Sequence, residues 1–499
     1  MERYRAIIDD WDAFRAALMT PQPTVVRVNT LKAGVDQVRA RLEAQGFRLT
    51  PMGWNPALLQ VDDGPFPVTR TLEHWLGYLY AQEAAAAVPA MALGVAPEHR
   101  VLDLSAAPGG KTTQIAEMQG DRGLLVANDP QPPRVQALLS NLYRLGVLST
   151  VVTSLDGRRF PASAAFDRVL VDAPCSNEGN ARRRSGAARP FHPRRAAALA
   201  QLQQSLLVAG LNLLADGGVL VYSTCTFAPE ENEAVVDAVL RRARGAVTVA
   251  APPDGLPGIP GITHWEGQDF DPALALTRRI YPHHLNSGGM YVACLRREGP
   301  LPWPAPPPEE AAPLRADPDL TRRFVDWWCR RFDVDPERFA GLHAYLRGGD
   351  LWLSAHPEVP GLRGLQAVGL RVLRGPGRPG RGDGGPARGP AAGGAGFDGW
   401  KPTSLALMHL AAGARRNVID LDDGALQSLL AGQRLGFDRA GGAAPVDAGY
   451  VALRWRGEVL GCGVVDGRGL RSALPQGRVQ ELLSCLEAER RAESGPPAT

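Results

Sequence analysis

The stretch "VLDLSAAPGGKTTQIAEM", Val101 to Met118, reads as a buried strand, a glycine turn and the start of a helix. It comes within one residue of the phosphate-loop pattern G-x-x-x-x-G-K-[ST]. Gly110, Lys111 and Thr112 are in place, but Ser105 stands where the first glycine belongs. Pro108 also removes one of the backbone amides that would cradle a phosphate.

The neighbouring segments extend the comparison. "DRVLVDAP" has the form of a Walker B strand ending in Asp172, which favours a triphosphate. Against it, the next strand ends in Asp129, twenty residues after Gly109, where a doubly wound sheet hydrogen-bonds a ribose diol. A neutral or cationic adenosyl ligand fits that pattern better than a triphosphate. Asp156, in "SLDGRRF", follows a further strand. There it either reaches an adenine amino group or forms an ordinary Asp-Gly turn.

Composition sets the wider frame. The chain has 499 residues, 44% apolar and 21% charged, with a formal net charge of +3. That is a globular composition with room for two to four domains. The N-terminal "MERYRAIIDDWD" has no signal-peptide apolar core, and the run from Ala84 is too short to span a bilayer and contains a proline. Six cysteines without a C-x-x-C pair speak against zinc and against a disulfide framework. A cytoplasmic protein, with no metal and no membrane partner, is the expectation. Of 55 basic residues only Lys32, Lys111 and Lys401 are lysines. A lysine inside the glycine turn therefore reads as a compact point charge where a guanidinium would not fit.

Along the chain, "TVVRVNTL", "GVDQVRARLEAQG" and "ALLQVDD" predict a strand, a helix closed by Gly46 and a strand, a small α/β unit. From about 99 to 298, strand and helix signals alternate. The strands are "RVLDLS", "GLLVAND", "STVVTS", "FDRVLVDAP", "GGVLVYST", "VTVAA" and "MYVACLRR", which argue a seven-stranded doubly wound sheet. The expected division is an α/β module at 1–85, a catalytic domain at 86–298, a proline-rich linker at 299–315 and an α/β segment at 316–373. A Gly/Pro/Arg-rich disordered insertion follows at 374–396, then a small mixed barrel at 397–480 and a tail at 481–499.

Two cysteines stand where sheet strands end. "VDAPCSNEG" puts Asp172 and Cys175 after the fourth strand, and "VYSTCTFAPEENE" puts Cys225 after the fifth. Ligands in open α/β sheets gather at carboxyl ends of strands, so all three should face the crevice of the glycine turn. Cys294, Cys329, Cys462 and Cys485 read as packing.

"LDLSAAPGGKT", "DAPCSNEG" and "YSTCTFAPEENE", with "RVNTLK" (27–32) upstream, resemble the motifs of the Nop/Sun family of RNA (cytosine-5) methyltransferases, in the family's order over about residues 24–298. The stretch 450–478 is similar, more loosely, to the PUA-like RNA-binding tail of the bacterial 16S rRNA branch, the RsmF type. The resemblance implies a Rossmann-like, S-adenosylmethionine-dependent fold. It assigns Cys225 as the nucleophile at cytosine carbon 6 and Cys175 as the residue assisting product release. Asp172 would read the base edge, most easily when protonated. Because DNA cytosine methyltransferases take their nucleophile from the Pro-Cys motif, Cys175 is the rival nucleophile.

The resemblance also carries cofactor binding to Ser105, Ala106, Ala107, Pro108, Gly109, Gly110, Lys111, Asp129, Asp156 and Asp172, with Arg134 assisting. Ser105 replaces a cysteine frequent in the family, and Asn177 replaces a family glycine. In the tail, Cys462 stands for the branch's usual tryptophan. The arginines of "NARRRSGAARPFHPRR" (180–195), Arg182, Arg183, Arg184, Arg194 and Arg195 among them, would hold RNA phosphates beside a flipped base. The implied partner is 16S rRNA or the small ribosomal subunit. A tRNA methyltransferase, a non-catalytic RNA-binding assembly factor and, furthest off, a P-loop NTPase are the alternatives.

Overall fold

A computed structural model of the chain describes residues 1–161, 165–184, 191–304, 307, 311–376, 397–436 and 446–494, with the backbone alone for 183 and 184. The expected insertion at 374–396 lies almost wholly outside the described residues.

The central sheet follows from runs buried on both faces. β5 (Val101–Asp103), β6 (Leu125–Asn128) and β7 (Thr150–Thr153) are buried at every position, as strands covered by helices on both sides require. β8 (Phe166–Asp172) and β9 (Leu214–Thr224) lie on the other side of β5, giving the parallel order β9-β8-β5-β6-β7. The strand order reverses at β5. A crevice therefore opens at its carboxyl end, where the glycine turn leads into α5 (Gly110–Met118). Met290–Arg297 pairs antiparallel with β9, and β10 (Val247–Ala250) pairs with that strand. All seven expected strands are present.

The sheet is wider than expected. Ile259–Pro260 and Arg278–Ile280 extend one edge, and Leu365–Val368 pairs antiparallel with β7 at the other, Ala367 opposite Val152. The segment 316–373 thus also contributes a strand to the central sheet. One of its strands covers an edge that would otherwise present unpaired amides and carbonyls.

The N-terminal sheet has the order β2-β3-β1-β4, from Arg48–Met52, Asn55–Asp63, Thr24–Val28 and Leu79–Ala81, with α2 (Val35–Glu43) packed on it through Val38 and Leu42. α1 (Trp11–Met19) instead joins the core, its Phe14 ring 5.5 Å from Phe227 and 6.0 Å from Tyr281. The "RVNTLK" stretch is the joint between module and core. Arg27, buried in β1, donates to both oxygens of Glu117 on α5 (2.8 and 3.0 Å), to Gly110 O (2.8 Å) and to Thr113 Oγ1 (2.8 Å). Asn29 Nδ2 bridges Gly77 O and Leu145 O.

The C-terminal region contains two four-stranded sheets. His343–Arg347, Asp350–Ser354 and Leu370–Arg374 form a four-stranded sheet completed by Lys401–Pro402. Val418–Leu421, Gly449–Trp455, Glu458–Asp466 and Gly469–Ser472 form a second, mixed one. Among the described residues no pairing joins the outer strands of either sheet. The expected tail is a helix, Gln476–Glu493, because Val479, Leu482, Cys485 and Leu486 recur at helical spacing and bury against Leu72, Trp75 and Leu76. No described helix is long and apolar enough to cross a membrane.

Candidate active site

Ser105, Asp129, Asp156, Asp172, Cys175 and Cys225 reach the crevice from the ends of parallel strands, while Lys111 and Arg134 come from the helices that follow. Gly109 starts α5 with φ 107°, and a Cβ there would stand 2.9 Å from Leu138 Cδ1, so the turn needs glycine for both conformation and space. Residues Ser105 to Pro108, with Gly110, Lys111, Asp172 and Cys225, line a cavity of about 290 Å³. A second cavity of about 660 Å³ adjoins it through Ser105, Asp172 and Cys225, and takes Asp129, Arg134, Asp156, Cys175 and Asn177 into its wall. Both cysteines, Asp172 and the glycine turn thus share one crevice.

The sulfurs of Cys175 and Cys225 lie 3.3 Å apart. Contact with Cys225, then burial, pushes the Cys175 thiol well above its ordinary range. Cys225 Sγ donates to Asn177 Oδ1 at 2.9 Å. Asn177 has φ 64°, a left-handed conformation that asparagine tolerates and glycine favours. That accounts for a family glycine at this position.

The two cysteine loops are tied together. Ser176 Oγ meets Thr226 Oγ1 at 2.7 Å, Ser176 N donates to Glu231 (2.9 Å), and Thr226 Oγ1 donates to Glu178 (3.0 Å). The buried hydroxyl of Tyr4 donates to Glu178 as well.

Asp172 accepts from Lys111 Nζ (2.8 Å) and from Ser223 Oγ (2.7 Å). Burial alone would lower the Lys111 pKa, but the Asp172 carboxylate outweighs it and the net shift is upward. Both carboxylate oxygens of Asp172 are therefore acceptors here.

The carboxyl of the site with a raised pKa is its neighbour Asp103, at the end of β5. Burial, opposed by the Thr112 hydroxyl (2.7 Å) and reinforced by Asp172, lifts it to about 7. Its Oδ1 is buried without a hydrogen-bond partner. The sequence reading passed over Asp103 because it looked like a strand residue, although it ends the strand on the crevice side. Asn128 was passed over too. Its side chain joins Leu104 O, Leu155 O and Thr153 Oγ1, fixing three strand ends.

Asp129 is fully buried, its Oδ1 accepting from Gln131 N (3.0 Å) and its Oδ2 3.0 Å from Arg134 Nη1 without an aligned hydrogen bond. Asp156 caps the short turn Gly157–Arg159 and pairs with Arg158 at 2.6 Å, so the turn reading holds while the carboxylate also lines the larger cavity.

The arginine run divides. Arg182 is buried and donates to Thr20, Pro21, Asn286 and Ser287, so this expected RNA contact is an internal strut. Arg194 and Arg195 are exposed at the start of α7 (Pro193–Leu213). The side chains of Arg183 and Arg184 lie outside the described residues. Asp9, His283 and His284 bring three potential metal ligands together. There, Tyr281 N–H donates to His284 Nδ1 (3.2 Å), which assigns the ring proton to Nε2, facing Asp9.

The family description "16S rRNA methyltransferase RsmB/F" matches residues 90–296, and "Methyltr_RsmF/B-like, ferredoxin-like domain" matches residues 2–69. The chain is 38% identical to Ribosomal RNA small subunit methyltransferase F of Cronobacter sakazakii, over 70% of this chain and 72% of the relative. It is 28% identical to the protein of the same name from Aeromonas hydrophila subsp. hydrophila over 94% of each. A crystal structure of a methyltransferase homolog from Pyrococcus horikoshii superposes with a TM-score of 0.51 at 33% identity, covering 57% of this chain and 90% of that one. The chain spans under half the length of some curated eukaryotic relatives, 46% for a Schizosaccharomyces pombe 25S rRNA (cytosine-C(5))-methyltransferase. The core sheet is accordingly that of S-adenosylmethionine-dependent methyltransferases, and the chain belongs to the Nop/Sun family of RNA (cytosine-5) methyltransferases, in its bacterial RsmF-type branch.

Proposed function

We propose that the protein methylates carbon 5 of cytosine in RNA, with 16S rRNA as the substrate. The observation that carries this reading is the pair of thiols 3.3 Å apart at the ends of adjacent strands, in a crevice shared with the glycine turn.

The residues present fit S-adenosylmethionine. The buried Asp129 oxygen lacking an aligned partner suits a ribose diol, and the orphaned Asp103 oxygen lies beside the glycine turn. Ser105 through Lys111 would hold the cofactor, with Asp129, Arg134, Asp156 and Asp172. When bound, the cofactor supplies a methyl group on a cationic sulfonium.

Carbon 5 of cytosine is a poor nucleophile until carbon 6 is covalently attacked. Cys225 is assigned that attack as the thiolate: its proton leaves to solvent, its sulfur bonds to carbon 6, and the carbon 5–carbon 6 π pair shifts to carbon 5. Cys175 keeps its proton because Cys225 and burial hold its pKa high, which suits an acid and not the attacking thiolate. After methylation, carbon 5 still carries its proton. A solvent base takes that proton, its bonding pair re-forms the carbon 5–carbon 6 double bond, and the Cys225 sulfur leaves as a thiolate that the Cys175 thiol, 3.3 Å away, assists by donating to it. Asp172, fixed by Lys111 and Ser223, faces the base edge. Arg194 and Arg195 remain candidates for RNA phosphate contacts. The C-terminal region is assigned the role of a PUA-like RNA-binding element, in a partly open form.

Bisulfite sequencing of ribosomal and transfer RNA from cells with and without the gene tests the reading. Loss of 5-methylcytosine from 16S rRNA is expected; loss from tRNA alone would move the substrate, and no loss would remove the activity. In vitro, Cys175→Ala should accumulate a denaturant-stable protein–RNA adduct and Cys225→Ala should form none. The reverse pattern would exchange their roles.

A further inference from the structure

Beside the glycine turn lies another cavity, of about 470 Å³, closed by three segments remote in sequence. Its walls come from Arg70 and α3 (Leu72–Leu76), from the end of α6 (Pro132–Leu145), and from the C-terminal helix. The guanidiniums of Arg70, Arg144 and Arg478 line it, and Glu481 is the one acidic residue among the described residues that does.

Part of this charge has a structural use. Arg144 Nη1 donates to His74 O (2.6 Å) and Leu79 O (2.8 Å). Arg478 Nη2 donates to Trp75 O (3.0 Å) and its guanidinium stacks 3.6 Å over the Trp75 ring, while Lys32 Nζ donates to Leu76 O. Three consecutive carbonyls at the end of α3 each meet a cation. A helix end carries only about half a negative charge, however, and cannot balance three. Glu481, largely exposed, sits 3.5 Å from Arg478. Among the described residues, Arg70 and Arg144 have no carboxylate within ion-pair distance.

The strain shows in the protonation equilibria. Burial, only partly offset by Glu481 and, for Arg144, by Tyr80, brings Arg144 and Arg478 down to about 10, and burial with both arginines brings His74 down to about 3. Buried charges are ordinarily paired, and Glu481 alone does not balance Arg144 and Arg478, so the cluster keeps an excess of positive charge. Ser140, Asn141 and Ser484 add neutral hydrogen-bonding groups to the wall. The cavity also borders the candidate active site. Tyr80 and Ala81 line both, and Asn141 Nδ2 donates to Pro108 O in the glycine turn at 2.9 Å.

We infer that this cavity binds a phosphodiester of the RNA substrate close to the target cytosine, held by Arg70, Arg144 and Arg478. The inference rests on the RNA-modifying reading above and adds a backbone contact that orients the strand across Tyr80. Planar guanidiniums, with donors set in a fork, suit phosphate oxygens better than a compact ammonium would.

The test uses the full chain and a fluorescein-labelled single-stranded RNA oligonucleotide, titrated across salt concentrations. Arg70→Gln removes an exposed guanidinium, and Ser484→Glu places a carboxylate where the phosphate would sit. Each should weaken RNA binding roughly tenfold. Arg70→Gln should make the log–log salt slope shallower by about 0.7, as for one lost phosphate contact on a single strand. Ser484→Glu should keep or raise the melting temperature, because it neutralises the cluster, and adenosylmethionine binding should not change in either variant. Wild-type RNA affinity and salt slope in both variants would overturn the inference. If the variants lose RNA affinity as expected while the wild type methylates no cytosine, the phosphate site stands and the methylation reading falls. If the wild type binds no RNA, both fall.

Discussion

Replacing Arg27 by methionine should uncouple the N-terminal module from the glycine turn. Arg27 and Glu117 have side chains 1% and 4% exposed, and the guanidinium makes two of its bonds to that carboxylate. Breaking a buried pair by removing one partner costs about 3–5 kcal/mol. A second route gives a similar figure. Glu117 can escape the buried charge by taking up a proton, and at pH 7.5 that costs about 1.4 kcal/mol for each of the roughly three units above its ordinary pKa, or about 4 kcal/mol.

The pH dependence has a definite sign. Burial already raises the Glu117 pKa even though Arg27 opposes it, and loss of Arg27 raises it further. A carboxyl with a raised folded pKa stabilises below its unfolded pKa and loses that contribution as pH rises. The Arg27→Met penalty should therefore be largest near pH 8 and shrink by up to about 1.4 kcal/mol per unit towards pH 5. Urea denaturation of wild type and variant at pH 5.5 and pH 8 measures it. Arg27→Met with Glu117→Leu should recover most of the loss, since apolar residues can replace a buried pair. A penalty below about 1 kcal/mol at pH 8, or one that does not vary with pH, would refute this reasoning.

Three further outcomes follow from the same geometry. Asp103, lifted to about 7 by burial, makes stability fall as pH rises from about 4 to its folded pKa; Asp103→Asn should flatten that slope in thermal melts. Asn177→Gly suits the φ of 64° and removes the acceptor of the Cys225 thiol, so Cys225 should alkylate faster with stability changed by less than about 1 kcal/mol; unchanged alkylation would show that the contact does not restrain the thiol. Gly179→Ala puts a Cβ 2.6 Å from Gly289 O and 2.9 Å from Cys225 O. It should cost about 1–3 kcal/mol as an overpacked site and lower kcat by displacing Cys225.

The core was legible because its signals are local. Strands buried on both faces appear as short apolar runs, and Gly109 and the two cysteine motifs mark strand ends that one topology brings together. The crevice of Asp172, Cys175, Cys225 and the glycine turn could be expected from that rule. Arg182 could not be assigned in the same way. An arginine run looks the same whether its members reach RNA or, as here, bond Thr20 and Asn286 across the fold. Lys32 and Asn29 were similarly ambiguous, since their partners at 76, 77 and 145 are remote in sequence.

The sequence by itself determined the strand order's chemistry, the glycine turn, the paired cysteines and the family they belong to, because each resides in a contiguous motif of a few residues. Only the tertiary structure decided that a strand from 365–368 completes the central sheet, that Gln476–Glu493 is a helix closing on α3, and that burial raises the Asp103 carboxyl beside Asp172. Edge pairing, burial and the meeting of distant charges depend on which surfaces come together, and no local pattern carries that information.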